Sequence, residues 1–224
     1  SFFLRVKYKK YWRKTSLKQK NIGNLFLNEV MLSKPKKFLE IGIFQGVTAR
    51  NICELLYKIH DNNFKYIGVD KFDLDEKTNN EILPSNNFKN PLKQFYYQYI
   101  IKENPYSLKS VKNLLKKFDK NIDIFKGDSK IVLPKIDLSE INYVFLDGGH
   151  SYDTVINDLI NCKVVVENNG VVLCDDYDLS YAPGVKKAID EFVATHKYKV
   201  EILFDRFAKI IKNWFFNAIK ETDL

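Results

Sequence analysis

The 224-residue sequence has no apolar run near the ~18 residues that a membrane-spanning helix needs. No positively charged start leads into an apolar stretch and a small-residue cleavage site, so no signal peptide is expected and the reading is cytoplasmic. Residue 1 is Ser rather than Met, and a trimmed start or a tag remnant is the expectation there. Cysteine is scarce: Cys53, Cys162 and Cys174 are odd in number and far apart, which argues against a disulfide framework or a zinc site and suits a reducing compartment. There is no internal repeat. The apolar share of 45% and charged share of 29% exclude a collagen-like, low-complexity or largely disordered chain. The length fits one domain that buries a full core without staples.

Acid is missing where base is concentrated. Residues 1–20 hold eight lysines and arginines and no carboxylate, while the remaining 204 residues balance at 28 of each sign, so the net charge of +8 belongs to an arm and not to the domain. Phe2, Phe3, Tyr8, Tyr11 and Trp12 interleave with those cations. Such an arm can meet an anionic membrane surface, an anionic glycan or a nucleic acid backbone. The plainer reading is a solvated helix, or a segment packing on a second subunit of a homo-oligomer. Residues 21–36 follow as an N-terminal helix, with Ile22, Leu25, Phe26 and Val30 at helical spacing and Pro35 closing it.

From residue 37 short apolar runs alternate with helical stripes. Strands are expected at 38–41, 66–69, 122–125, 141–146 and 171–174. Helices are expected around Ala49–Ile59, Leu108–Phe118 (capped by Ser107), Tyr152–Val166 and Val185–Val193. Residues 71–106, rich in Asn and Lys and punctuated by Pro84, Pro91 and Pro105, read as a lid or insertion with a short helix near 94–101. Strands 199–204 and 207–212, separated by Asp205-Arg206, read as a terminal antiparallel hairpin, and 214–224 as a tail. The alternation predicts an α/β fold: a doubly wound, mostly parallel sheet of seven strands covered on both faces.

Ligands bind such sheets outside the carboxyl ends of the strands. All five parallel strands end in, or run into, a carboxylate: Glu40, Asp70, Asp128, Asp147 and Asp175-Asp176. Clustered carboxylates repel unless cations or donors sit among them, so the rim reads as a site. Asp70, about 30 residues after Glu40, is placed to accept from both hydroxyls of a ribose; a loop acid or helix cap is the plain alternative. Asp147, Asp175 and Asp176 suit a hard divalent cation such as Mg²⁺. His150, at the mouth of a helix, would stay neutral and accept a proton. Paired caps and a structural loop histidine are the alternatives. His60 reads as a surface residue, and His196 as core or boundary. Gly42 and Gly46 in the turn Gly-Ile-Phe-Gln-Gly let backbone approach a ligand, but Phe44 stands where a dinucleotide fingerprint has glycine, which disfavours a pyrophosphate. There is no Gly-x-Ser-x-Gly elbow and no Walker-type loop.

The runs FLEIGIFQGVTA (38–49), YIGVDKF (66–72), FKGDS (125–129), YVFLDGGHSYDTVINDL (143–159) and NGVVLCDDY (169–177), in that order, resemble class I S-adenosylmethionine-dependent methyltransferases. They are most similar to the metal-dependent O-methyltransferase branch that includes the macrolide and aminocoumarin sugar methyltransferases. The resemblance spans 37–213. It implies S-adenosylmethionine as cofactor, with Glu40, Gly42, Gly46 and Thr48 bordering its methionine part, Asp70 on the ribose, and Asp128 with Ser129 flanking the adenine. It implies a metal held by Asp147, Asp175 and Asp176, and His150 as base. Catechol-type relatives carry Lys near that position, so His150 points to a sugar or related small-molecule hydroxyl as acceptor. Three rivals stand beside it: an RNA methyltransferase, disfavoured because an acidic rim repels phosphates; a partner-binding module; and an NAD-dependent oxidoreductase, disfavoured by the glycine spacing.

Overall fold

The computed structural model describes residues 7–72 and 89–213. The first six residues of the arm, residues 73–88 of the expected lid and the expected tail (214–224) lie outside the described residues.

Seven strands form one sheet: β1 (Lys37–Ile41), β2 (Lys65–Asp70), β3 (Ile122–Lys126), β4 (Tyr143–Leu146), β5 (Val171–Cys174), β6 (Lys199–Leu203) and β7 (Phe207–Ile211). Their order is β3-β2-β1-β4-β5-β7-β6. The first five are parallel, and β7 returns antiparallel against both β5 and β6. Among the described residues seven α-helices accompany them: α1 (Ile22–Ser33), α2 (Val47–His60), α3 (Pro91–Phe95, continued by a π-helical turn Tyr96–Ile101), α4 (Leu108–Leu115), α5 (Ser129–Val132), α6 (Tyr152–Glu167) and α7 (Pro183–His196).

Strand alternation divides the sheet into two chemically different faces. Phe38, Tyr66, Tyr143, Phe145 and Phe207 point to one side, under Phe26 and Val30 of α1 and Ile52 and Leu56 of α2. Phe38 stacks between Tyr66 and Tyr143, with ring centroids 6.3 and 5.4 Å away. Leu39, Ile41, Ile67, Val69, Val144 and Leu146 point to the other side, where the long helices α6 and α7 bring Val155, Leu159, Ile189 and Phe192. Burial of both faces explains why β1, β2, β4 and β5 read as near-continuous apolar runs, while the edge strand β3 stays half-exposed.

Three boundaries and the conformation of the arm differ from the sequence reading. β4 begins at Tyr143, not Ile141, because the Asn142 side-chain carbonyl accepts from the Lys36 and Lys37 backbone amides and turns the chain there. The hairpin loop has three residues: Phe204 joins Asp205, and both take positive φ (57° and 52°). α3 starts at Pro91, with the Asn90 side chain accepting from Leu92 N. The described part of the arm is neither a solvated helix nor a free segment. Residues 7–20 lie irregularly along the chain's own body, and Leu17 is buried in the aromatic-side core. The cap at Ser107 falls as expected.

Candidate active site

The strand order reverses between β1 and β4, so a crevice opens outside their carboxyl ends. Its floor is the turn from β1 to α2. Gly42 takes φ 92° there, and a Cβ on it would lie 2.2 Å from the Asp147 carbonyl oxygen, so only glycine lets the two strand ends pass. Phe44 adopts φ 52°, the left-handed conformation that glycine ordinarily supplies.

Asp70 holds that turn. One carboxylate oxygen accepts from the Ile43 and Phe44 amides at 2.7 and 2.8 Å. The other accepts from the Phe72 amide and the Tyr106 hydroxyl, both at 2.8 Å. Three of these donors are backbone; Tyr106, packed with Phe44 and Phe72, is the exchangeable one. Glu40 is buried one strand over. Its Oε2 accepts from Tyr66 at 2.5 Å, and its Oε1 has no hydrogen-bond partner. Burial, opposed by Tyr66 and aided by Asp70, pushes its carboxyl up to about 8.

Asp147, at the end of β4, and Asp175 and Asp176, at the end of β5, offer three carboxylate oxygens within 4.8 Å of one another. Arg206, from the hairpin turn, sits among them. It is buried, donates to both oxygens of Asp175 at 2.5 and 2.6 Å, and lies 3.2 Å from Asp176 Oδ1. Desolvation and the neighbouring Asp175 and Asp176 hold the Asp147 carboxyl well above its ordinary range, against a 2.5 Å hydrogen bond from the Ser16 hydroxyl. Asp176 goes the other way. Its burial is outweighed by the hydrogen bond from His150 and the charge of Arg206, which keep it below the ordinary range. His150 Nε2 is 3.0 Å from Asp176 Oδ2, and the Tyr181 hydroxyl donates to the same oxygen at 3.3 Å. Gly184 makes the His150 turn possible, since a Cβ there would meet Tyr152 N at 2.6 Å.

The arm crosses this crevice. The Tyr8 hydroxyl is 2.7 Å from Thr15 Oγ1 and 2.8 Å from Thr48 Oγ1. Arg13 donates to the carbonyls of Gln45, Pro105 and Ser110, and the Lys14 amide donates to the Gln45 side chain. Gly23 leaves room for the Tyr8 ring, which a Cβ would approach to 2.4 Å.

The expected site residues therefore fall into two groups. Glu40, Gly42, Gly46, Thr48 and Asp70 gather on the β1 and β2 side; Asp147, His150, Asp175 and Asp176 on the β4 and β5 side. Asp128 and Ser129 sit at the start of α5, where Asp128 caps Lys130 N and pairs with Lys71 at 2.9 Å. His60 and His196 stay outside, bonded to the carbonyls of Lys34 and Phe192. Sequence reasoning missed Arg206, Ser16, Tyr8 and Tyr106. Arg206 carried a faint signal, as a lone arginine in a hairpin that returns beside Asp175. The other three act across long chain separations and carried none.

Asp158 of α6 lies fully buried near Ser129. Burial, opposed by Ser129 and Asn157, pushes its carboxyl from 3.8 up to about 7. A raised carboxyl contributes stability that is complete below the unfolded value and lost as pH rises through the folded one. Asp158→Asn is therefore expected to melt close to the parent at pH ~4 and above it at pH ~8 in thermal scans, removing part of the alkaline decline.

The parallel sheet, its antiparallel end and the acid-rimmed switch point together define a class I methyltransferase fold. The chain belongs to the family described as Methyltransferase domain, whose model matches residues 39–177. Among solved structures it is similar to the O-methyltransferase NovP (TM-score 0.62, 17% identity, covering 87% of this chain and 82% of that one). It is also similar to CalS11, the calicheamicin methyltransferase (0.61, 15%, 87% and 80%). A third is the methyltransferase PaMTH1 of Podospora anserina, solved with S-adenosylhomocysteine bound (0.55, 16%, 87% and 80%). No curated protein matches the sequence.

Proposed function

We propose that this chain is an S-adenosylmethionine-dependent O-methyltransferase acting on a hydroxyl of a sugar or related small molecule, with His150 as general base beside a divalent-cation site at Asp147, Asp175 and Asp176. The observation that carries the reading is the His150–Asp176 pair beside that carboxylate cluster, at the switch point of a methyltransferase-family domain. NovP and CalS11 act in the same sense: the first is an O-methyltransferase, and the second is described as a TDP-rhamnose 3'-O-methyltransferase.

The residues fit the groups this reading requires. Glu40 Oε1, buried without a partner, suits the ammonium of the cofactor's methionine part. A ribose hydroxyl would take the place of the Tyr106 hydroxyl on Asp70. Thr48 and Gly46 stand at the N-terminus of α2, where backbone amides favour a carboxylate. Asp128 and Ser129 would border the adenine. Asp176 Oδ1, buried without a hydrogen bond, suits a hard cation shared with Asp147 and Asp175.

S-adenosylmethionine supplies an already activated methyl on a sulfonium. A divalent cation lowers the pKa of a hydroxyl near it and fixes its orientation. With Nε2–H donating to Asp176, His150 would take the hydroxyl proton at Nδ1. Held by Glu40, Thr48 and Asp70, the cofactor would supply its methyl to the acceptor oxygen and would leave as the thioether. The arm, held at Asp147 through Ser16 and at Thr48 through Tyr8, would help to exclude water from the reacting groups. In the segment that follows Asp176 and on α7, Tyr177, Asp178, Pro183, Lys186 and Asp190 edge an open recess of about 590 Å³, a mixture of ring and polar groups suited to a hydroxyl-rich acceptor. We place the protein in the cytoplasm, where its three buried free thiols would persist.

The test is transfer of isotope-labelled methyl from S-adenosylmethionine to a panel of nucleotide sugars and glycans, read by mass spectrometry. An O-methylated sugar supports the reading; label found on RNA alone, or on no acceptor by a protein that binds the cofactor, refutes the acceptor class.

A further inference from the structure

The helix α3 lacks the polar outer face of an ordinary surface helix. Of its residues only Tyr97 is buried, while Leu92 is 70% exposed, Ile100 61%, Tyr99 60% and Phe95 55%. Leu92, Phe95 and Tyr99 follow one another at i, i+3 and i+7 and so share a stripe. The Phe95 and Tyr99 rings touch, with centroids 5.1 Å apart. The arm extends this apolar surface: Trp12 is 59% exposed and stands edge-on to Tyr96, 5.8 Å between centroids. A contiguous exposed patch of this kind marks an interaction surface.

The frame around it is of one sign. Residues 7–20 and 89–102 contain ten lysines and arginines and no carboxylate. The nearest acid along the chain, Glu103, is engaged by Lys109 at 2.7 Å. Lys14 is partly buried and faces the like charges of Lys18 and Lys89, and these hold its pKa below the ordinary lysine value. An anionic partner relieves that repulsion.

The chemistry of the patch selects the partner. A nucleic acid would use the aromatic rings for stacking but has no use for the protruding aliphatic Leu92, Ile100 and Ile101. A second copy docked about a two-fold axis would set the same ten cations against themselves. An anionic bilayer accepts both features: apolar side chains at the headgroup level and cations against lipid phosphates.

We propose that the face formed by residues 7–20 and 89–102 docks onto an anionic lipid bilayer, with Trp12, Leu92, Phe95 and Tyr99 entering the interface and the surrounding lysines pairing with headgroups. The docked face is rigidly joined to the crevice. Arg13 ties it to the carbonyls of Gln45 and Ser110, and Ser16 reaches Asp147. The acid-rimmed crevice thus opens close to the membrane surface, and acceptors held at that surface are within its reach. This inference goes beyond methyl transfer and does not depend on it, so either can fail alone.

The test is vesicle flotation of the full chain carrying Trp214→Phe, so that Trp12 is the one tryptophan. Vesicles of phosphatidylcholine with about a quarter phosphatidylglycerol are compared with phosphatidylcholine alone. The expected result is partition onto the anionic vesicles with a blue shift of Trp12 emission, falling at least about tenfold between ~0.1 and ~0.5 M salt. Leu92→Gln with Phe95→Gln, and separately Lys18→Glu with Lys89→Glu, each lower partition at least about tenfold at unchanged melting temperature. Equal partition onto both vesicle types, no partition at low salt, preference for a single-stranded RNA, or a protein-concentration-dependent shift of Trp12 without lipid overturns the proposal.

Discussion

Arg206→Met is expected to destabilise the protein by about 3–5 kcal/mol, read by denaturant unfolding. Arg206 is a buried cation that donates two short hydrogen bonds to Asp175 and lies against Asp176, with Asp147 in the same cluster. Removing it leaves three carboxylates with no protein cation among them, and the penalty is that of uncompensated buried charge rather than of one lost contact. Methionine keeps much of the volume, so packing contributes little. Lysine restores the charge without the fork that spans both Asp175 oxygens, and Arg206→Lys should recover only part of the loss. Added Mg²⁺ should raise the melting temperature of Arg206→Met more than that of the parent, because the variant offers a more negative cluster. A loss under ~1 kcal/mol for the methionine variant would mean that Arg206 is not the internal counter-ion of this site.

His150→Ala should lower kcat about 10²–10⁴-fold on the acceptor found by the methyl-transfer screen, with S-adenosylhomocysteine affinity within about twofold of the parent. The separation follows from position: His150 pairs with Asp176 on the β4 and β5 side, away from the Glu40 and Asp70 side assigned to the cofactor. A lowered cofactor affinity with unchanged kcat would instead assign His150 to binding.

The sequence made the sheet, its direction and its acid rim legible because β1, β2, β4 and β5 are buried on both faces and end in, or run into, a carboxylate, which are local patterns. Phe38–Ile41 and Val171–Cys174 could be read as strands with no knowledge of their neighbours. What stayed hidden depends on partners far along the chain. Asp70 has the right place for a ribose contact, yet most of its bonding secures the turn at Ile43 and Phe44, some 26 residues earlier. The acidic cluster was visible, but its internal cation comes from Arg206, 31 residues beyond Asp175. The arm was read from its charge and its interleaved aromatic rings. Its attachment rests on particular pairs — Arg13 to the Gln45, Pro105 and Ser110 carbonyls, Tyr8 to Thr48, Ser16 to Asp147 — that no composition reveals. The two hairpin residues with positive φ, Phe204 and Asp205, are not glycines, and so gave no turn signal beyond the aspartate.

The most direct test of the central claim is calorimetric titration of the folded full chain with S-adenosylhomocysteine, repeated with Mg²⁺ and with EDTA. One binding site per chain in both conditions, weakened by Glu40→Gln, and a separate Mg²⁺ site lost in Asp176→Asn, is the predicted result. Absence of S-adenosylhomocysteine binding by folded protein would contradict the methyltransferase account and leave a family fold used for another purpose.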